Sequence, residues 1–144
     1  MLLEKLSVPI TPPPLSELWR AMPPAIACHA LTAGYSLLCG LWLLARRRRR
    51  GDGLHRGLGV SWMAAMAVTA VGSFWIQSQG HLSWIHLLSL LTLIGLGQNL
   101  YALRHGRRQM HYRAVRGMMI GLGVAFVFTL SPDRILGHWL WAQW

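Results

Sequence analysis

Residues 85–113, IHLLSLLTLIGLGQNLYALRHGRRQMHYR, set a histidine at each end of an apolar run, His86 and His111, with arginines clustered just before the second. An uncharged stretch of this length ending in arginines has the pattern of a membrane-spanning helix that runs into a positively charged loop. The same layout occurs earlier, in residues 28–56, CHALTAGYSLLCGLWLLARRRRRGDGLHR, where His29 and His55 flank another apolar run and another arginine cluster. One constant offset superposes His29 on His86, Gly40 on Gly97, Leu43 on Leu100, Ala45 on Ala102 and Arg47 on Arg104; a single deletion then brings His55 onto His111. The chain reads as one two-helix unit written twice.

Composition supports a membrane protein. Of 144 residues only 12% are charged, 53% are hydrophobic, and tryptophan occurs eight times, well outside the usage of soluble domains. The net charge of +10 is not spread along a face, as nucleic-acid binding requires; it sits in clusters between apolar runs and therefore reports topology, with no nucleic-acid partner. Cys28 and Cys39 share one apolar run, about 16 Å apart on a helix, too far for an intrachain disulfide. No CxxCH motif signals covalent haem attachment.

Taken in order, residues 1–24 read as an extended outside segment: glutamate, lysine and proline interrupt any signal-peptide core, and the prolines at 12–14 favour extended backbone. The domain at 25–137 holds four spans, at about 25–45, 57–78, 83–103 and 114–130, the fourth needing snorkelling arginines to reach full thickness. The tail at 138–144, with Trp139, Trp141 and Trp144 in its neighbourhood, has the composition of an interfacial anchor. The expected fold is all-α: an integral-membrane four-helix up-down bundle of two tandem two-helix repeats, with a short interfacial C-terminal segment. Arginines crowd the loops after spans one and three, so the positive-inside rule places those loops in the cytoplasm and both termini outside, in a bacterial inner membrane.

This topology sorts the histidines into two levels. His29 and His86 open spans one and three and lie near the outer face; His55 and His111 open spans two and four and lie near the inner face. The helical rise separates the levels by about 25 Å. Spans one and three are diagonal neighbours in an up-down bundle, as are two and four, so each pair can face across the axis. Two neutral imidazoles are a suitable axial pair for a b-type haem, which makes His29, His86, His55 and His111 candidate iron ligands for one or two haems. Arg56 and Arg113, beside the inner histidines, suit haem propionates. Ala33, Gly59, Ser89 and Ala114 stand one turn from the histidines, and with Gly34, Gly40, Gly95 and Gly97 they offer room for a macrocycle. A histidine at a helix start is commonly just an interfacial polar group; it is the pairing by repeat and by leaflet that points to ligation. Gln98 and Asn99 suit interhelical hydrogen bonding, and His81, His105 and His138 read as solvated. No catalytic triad, carboxylate pair or phosphate loop is present, so hydrolase and transferase chemistry lacks parts.

Three functional readings follow: a membrane b-type haem protein carrying electrons, with a quinone or redox-protein partner; a non-catalytic subunit or assembly factor of a larger respiratory or transport complex, or a homo-oligomer; and a copper or zinc handler. The stretches GDGLHRGLGVSWMAAMAVTA, IHLLSLLTL and GRRQMHYRAVRGMMIGLGVAFVFTLSPDRILG resemble the DUF2306 family of bacterial four-helix membrane proteins, which carries LHR-x-x-G after the first span, a histidine opening the third, and a histidine-arginine motif before the fourth. Here Val115 stands where that motif usually has methionine. The resemblance covers roughly residues 25–137 and implies the fold but no settled activity. The layout of one histidine per helix, first with third and second with fourth, is similar to the core of the di-haem cytochrome b561 family, which typically has two further helices; that similarity implies haem b at both levels.

Overall fold

The computed structural model describes residues 22–46, 52–76 and 84–131, with positions 14, 16, 17, 20, 137 and 141 besides; at 84 and 85 only the backbone is described. Helix α1 spans Pro24–Ala45, α2 spans Gly53–Gly72 and continues into a 3₁₀ turn at Ser73–Trp75, α3 spans Trp84–Arg104, and α4 spans Arg108–Thr129. All four are long and apolar enough to cross a membrane, and the described residues contain no strand. This is an all-α, multi-pass membrane protein.

Local chemistry sets the helix ends. Pro24 starts α1, where its missing N–H is no loss. Asp52 caps α2, its Oδ1 accepting the His55 N–H at 3.1 Å. Helix α3 ends in a Schellman turn: Gly106 takes φ +64°, the Arg107 N–H returns to the Ala102 carbonyl at 2.8 Å and the Gly106 N–H to Leu103 at 3.4 Å. Two helices begin earlier than hydropathy alone places the spans, α2 at Gly53 and α4 at Arg108. The reason is that hydropathy sees only the apolar part of a helix, whereas the backbone ladder continues through polar residues once a cap or turn has started it. His55, Arg56, His111 and Arg113 therefore stand on helix, not in loops. The readings for 1–24 and for the tail fall mostly outside the described residues; of the tail, the Trp141 indole donates to the Leu130 carbonyl at 3.0 Å.

Within residues 23–125 the helices assemble by short interlocking contacts. Going up α1 and down α2, the Thr69 hydroxyl donates to Thr32 at 2.8 Å, Tyr35 and Ser61 share a bond of 2.6 Å, the Trp62 indole donates to the Ser36 carbonyl at 2.9 Å, and the Cys39 thiol reaches the Leu58 carbonyl at 3.8 Å. Helix α3 runs back along α2, with Ser73 donating to Ser89 at 2.6 Å and Asn99 reaching Met63. Helix α4 returns along α3, where Met118 packs onto Gly95, and touches α1, where Met119 packs onto Gly40. Each neighbouring pair is antiparallel, so α1 lies diagonal to α3 and α2 to α4, the arrangement expected of an up-down bundle.

The core is Trp62, Met66, Leu96, Met118, Met119 and Leu122, while Ser36, Asn99, Thr69 and Ser73 are also buried and Leu38, Val60 and Ile120 face outward. This inverts the soluble pattern. Lipid solvates leucine as well as a protein interior does, so the helices associate through close packing of small residues and through hydrogen bonds.

The first connection is held by charge: Arg46 meets Asp52 at 2.7 Å and lies over the Trp42 ring, 5.0 Å from its centroid. The His55 N–H, with the Arg46 guanidinium beside it, holds the Asp52 carboxyl below the usual carboxylate range. A depressed folded-state pKa contributes stability that is present above the unfolded value of about 3.9 and is lost as pH falls through the folded value. In detergent, the wild-type melting temperature should therefore fall more steeply than that of Asp52→Asn as pH drops below about 4. Identical acid sensitivity of the two chains would show that this carboxylate does not hold the turn.

Candidate functional site

The four histidines lie at the two ends of the bundle, as their positions on alternating helices require. His29 is in the second turn of α1 and His86 in the first turn of α3, at one end; His55 and His111 are in the first turns of α2 and α4, at the other. The second end also carries Arg46, Arg56, Arg104, Arg107, Arg108 and Arg113 and is called the basic end below.

At the opposite end, His29 lies against the last turns of α2 and His86 against the 3₁₀ turn that follows them. The His29 Nδ1 is 3.0 Å from the Thr69 carbonyl oxygen. A backbone carbonyl only accepts, so Nδ1 carries the proton and, in the neutral ring, Nε2 carries the lone pair. The Thr69 hydroxyl is engaged with Thr32 at 2.8 Å and Ala65 at 2.9 Å, which fixes the turn whose carbonyl His29 uses. His86 is 7% exposed, its ring tilted 40° to that of Phe74 with centroids 5.7 Å apart. The neighbouring Ser73–Ser89 bond joins α3 to the start of the 3₁₀ turn.

At the basic end, the His111 Nδ1 lies 2.6 Å from the Asn99 Oδ1, and the Asn99 amide nitrogen donates to the Met63 sulfur at 3.2 Å. The amide oxygen is an acceptor, so His111 too donates through Nδ1 and presents its lone pair at Nε2. Asn99 is 1% exposed and links α2, α3 and α4 through this one side chain. His55 is half-buried, and Arg56 and Arg113 are exposed.

No family model, curated protein or solved structure matches the chain. The chemistry of the site therefore rests on its own residues. Metal-binding histidines almost always give the N–H of their other nitrogen to a fixed oxygen acceptor, which sets the tautomer and ring orientation. His29 and His111, one at each end, both have that arrangement. Among the described residues no three His, Cys, Asp or Glu side chains gather, Cys28 is exposed, and both Cys28 and Cys39 are free thiols.

Sequence reading named all four histidines and gave Asn99 an interhelical bond; its neighbour Gln98 is exposed. Thr69 and Met63 were not foreseen. No local signal marks them, because a threonine on an apolar helix becomes a partner only through the register of two helices. The glycines proved to have different roles. A Cβ at Gly34, Gly59 or Gly97 would meet nothing within 4 Å, whereas Gly40 and Gly95 are filled by Met119 and Met118. Gly40 and Gly95 thus serve helix packing.

Proposed function

We propose that this chain is a b-type haem protein that carries electrons across or within a bacterial inner membrane, with both termini outside and the basic end cytoplasmic. The observation that carries the reading is the shared tautomer of His29 and His111, each fixed by an oxygen acceptor on a neighbouring helix. In this reading His29 with His86, and His55 with His111, would hold the haem iron, and Arg56 and Arg113 lie close enough in sequence to the basic-end histidines to neutralise propionates. Haem b held in this way supplies one-electron transfer; its donor and acceptor would be a quinone or a redox protein. Thr69 and Asn99 contribute by holding the two rings in the tautomer that presents Nε2.

The test is the visible spectrum of detergent-purified protein, oxidised and dithionite-reduced, for the wild type beside His86→Ala and His111→Ala. The expected result is a Soret band in the wild type, with each variant losing a separate share of it. A wild type that shows no Soret band even after haem supplementation overturns the reading. Recovery of that cofactor-free chain with stoichiometric partners would favour a structural subunit of a larger complex.

A further inference from the structure

A groove of about 240 Å³ runs between α1 and α4, lined by Leu37, Leu41 and Leu44 on one side and by Arg116, Ile120 and Gly123 on the other. The spacings are helical, so each helix contributes one continuous stripe. The helices are antiparallel, which sets Leu44 level with Arg116 near the basic end and Leu37 level with Gly123 about 10 Å deeper. Gly123 keeps the deep end open: a Cβ there would meet nothing within 4 Å.

The groove is apolar except for one cation at its shallow end. Arg116 sits about 12 Å along α4 from Arg108, and its guanidinium lies over the Tyr112 ring, 5.5 Å from the centroid. Tyr112 is one turn nearer the helix start, so the side chain reaches back toward the interface, as a snorkelling arginine does. The described residues include two carboxylates, Glu17 and Asp52; Asp52 is held by Arg46, and no ion pair joins Arg116 to either.

We propose that this groove is a binding site for one anionic phospholipid, with the phosphate at Arg116 and an acyl chain along the Leu37–Leu41–Leu44 stripe. Charge complementarity selects this occupant. An acyl chain alone would fit any apolar face, but a guanidinium at headgroup depth with no carboxylate partner among the described residues adds a preference for a negative head. The site is separate from the histidines and does not depend on the haem reading.

The full chain in detergent is exchanged against mixed vesicles of equal phosphatidylglycerol and phosphatidylcholine, and the retained lipid is counted by native mass spectrometry. Wild type should retain phosphatidylglycerol over phosphatidylcholine by about five-fold, the factor expected for one arginine at a membrane surface. Arg116→Gln should abolish the preference and Arg116→Lys should restore most of it. Gly123→Leu, whose Cβ has open space and whose longer side chain would occupy the groove, should lose the retained lipid altogether. Arg104→Gln, whose arginine does not line the groove, should behave as wild type. Equal retention of both lipids by the wild type, an equal loss in Arg104→Gln and Arg116→Gln, or displacement of lipid by a neutral quinone added to the vesicles overturns the proposal.

Discussion

Gly40→Leu should destabilise the bundle by about 3 kcal/mol, the upper part of the range for overpacking a close-packed interior, read as a lower denaturation midpoint in micelles followed by tryptophan fluorescence. A single Cβ at Gly40 would collide with the Met119 sulfur and come within 2.7 Å of the Trp62 Nε1. Met119 can swing aside. Trp62 cannot do so cheaply, because it is 2% exposed and its indole is committed to the Ser36 carbonyl at 2.9 Å. A leucine would therefore either part α1 from α4 or break the bond that fixes α2 against α1. Gly34→Ala is the control: nothing lies within 4 Å of its Cβ, so it should be neutral or gain up to about 1 kcal/mol from helix propensity. Equal midpoints for Gly40→Leu and wild type would mean that the close approach at Gly40 does not hold the bundle.

Asn99→Leu is expected to cost about 1–3 kcal/mol. Leucine keeps the branching and the number of side-chain heavy atoms, and the main loss is polar: the His111 Nδ1–H is deprived of its 2.6 Å acceptor and the link to Met63 disappears. Asn99→Asp keeps an acceptor oxygen and should recover part of the stability. The pair of variants also probes the haem reading. With leucine at 99 the His111 tautomer is no longer dictated, and the share of the Soret band that His111→Ala removes should fall in Asn99→Leu as well. With aspartate at 99 the ring becomes more basic, and the midpoint potential of that share should move downward. A change in stability with an unaltered spectrum would confine Asn99 to a packing role.

Most of the architecture was legible because it depends on what single residues do to a helix in lipid. The arginines after Ala45 and Leu103 and the apolar runs mark four helices and their alternation without reference to any contact. The repeat gave the histidine levels in the same way. The early starts of α2 and α4 were not legible, since Arg108 and Arg113 lower the hydropathy of residues that the backbone still holds as helix. Nor were the acceptors of His29 and His111 equally accessible: Asn99 is a conspicuous amide in an apolar run, but the Thr69 carbonyl is a main-chain group, identical in kind to every other, and only the register of α1 on α2 selects it. Sequence equivalence between halves also misled about space. Gly40 aligns with Gly97, yet the residue of α3 that receives a methionine is Gly95, because the two helices are rotated differently toward their neighbours.

The fastening of α1 to α2 bears on how the chain is made. That hairpin carries its own hydroxyl, indole and imidazole bonds and an ion-paired turn, and both of its helices emerge from the ribosome before α3 does. It can zip up in the bilayer as a co-translational intermediate, with the serine and threonine side chains of α1 already partnered as α3 emerges. The second hairpin then docks on a finished surface, so an error in α4 should leave a half-built protein with an ordered first pair, whereas an error in α1 deprives every later helix of its template.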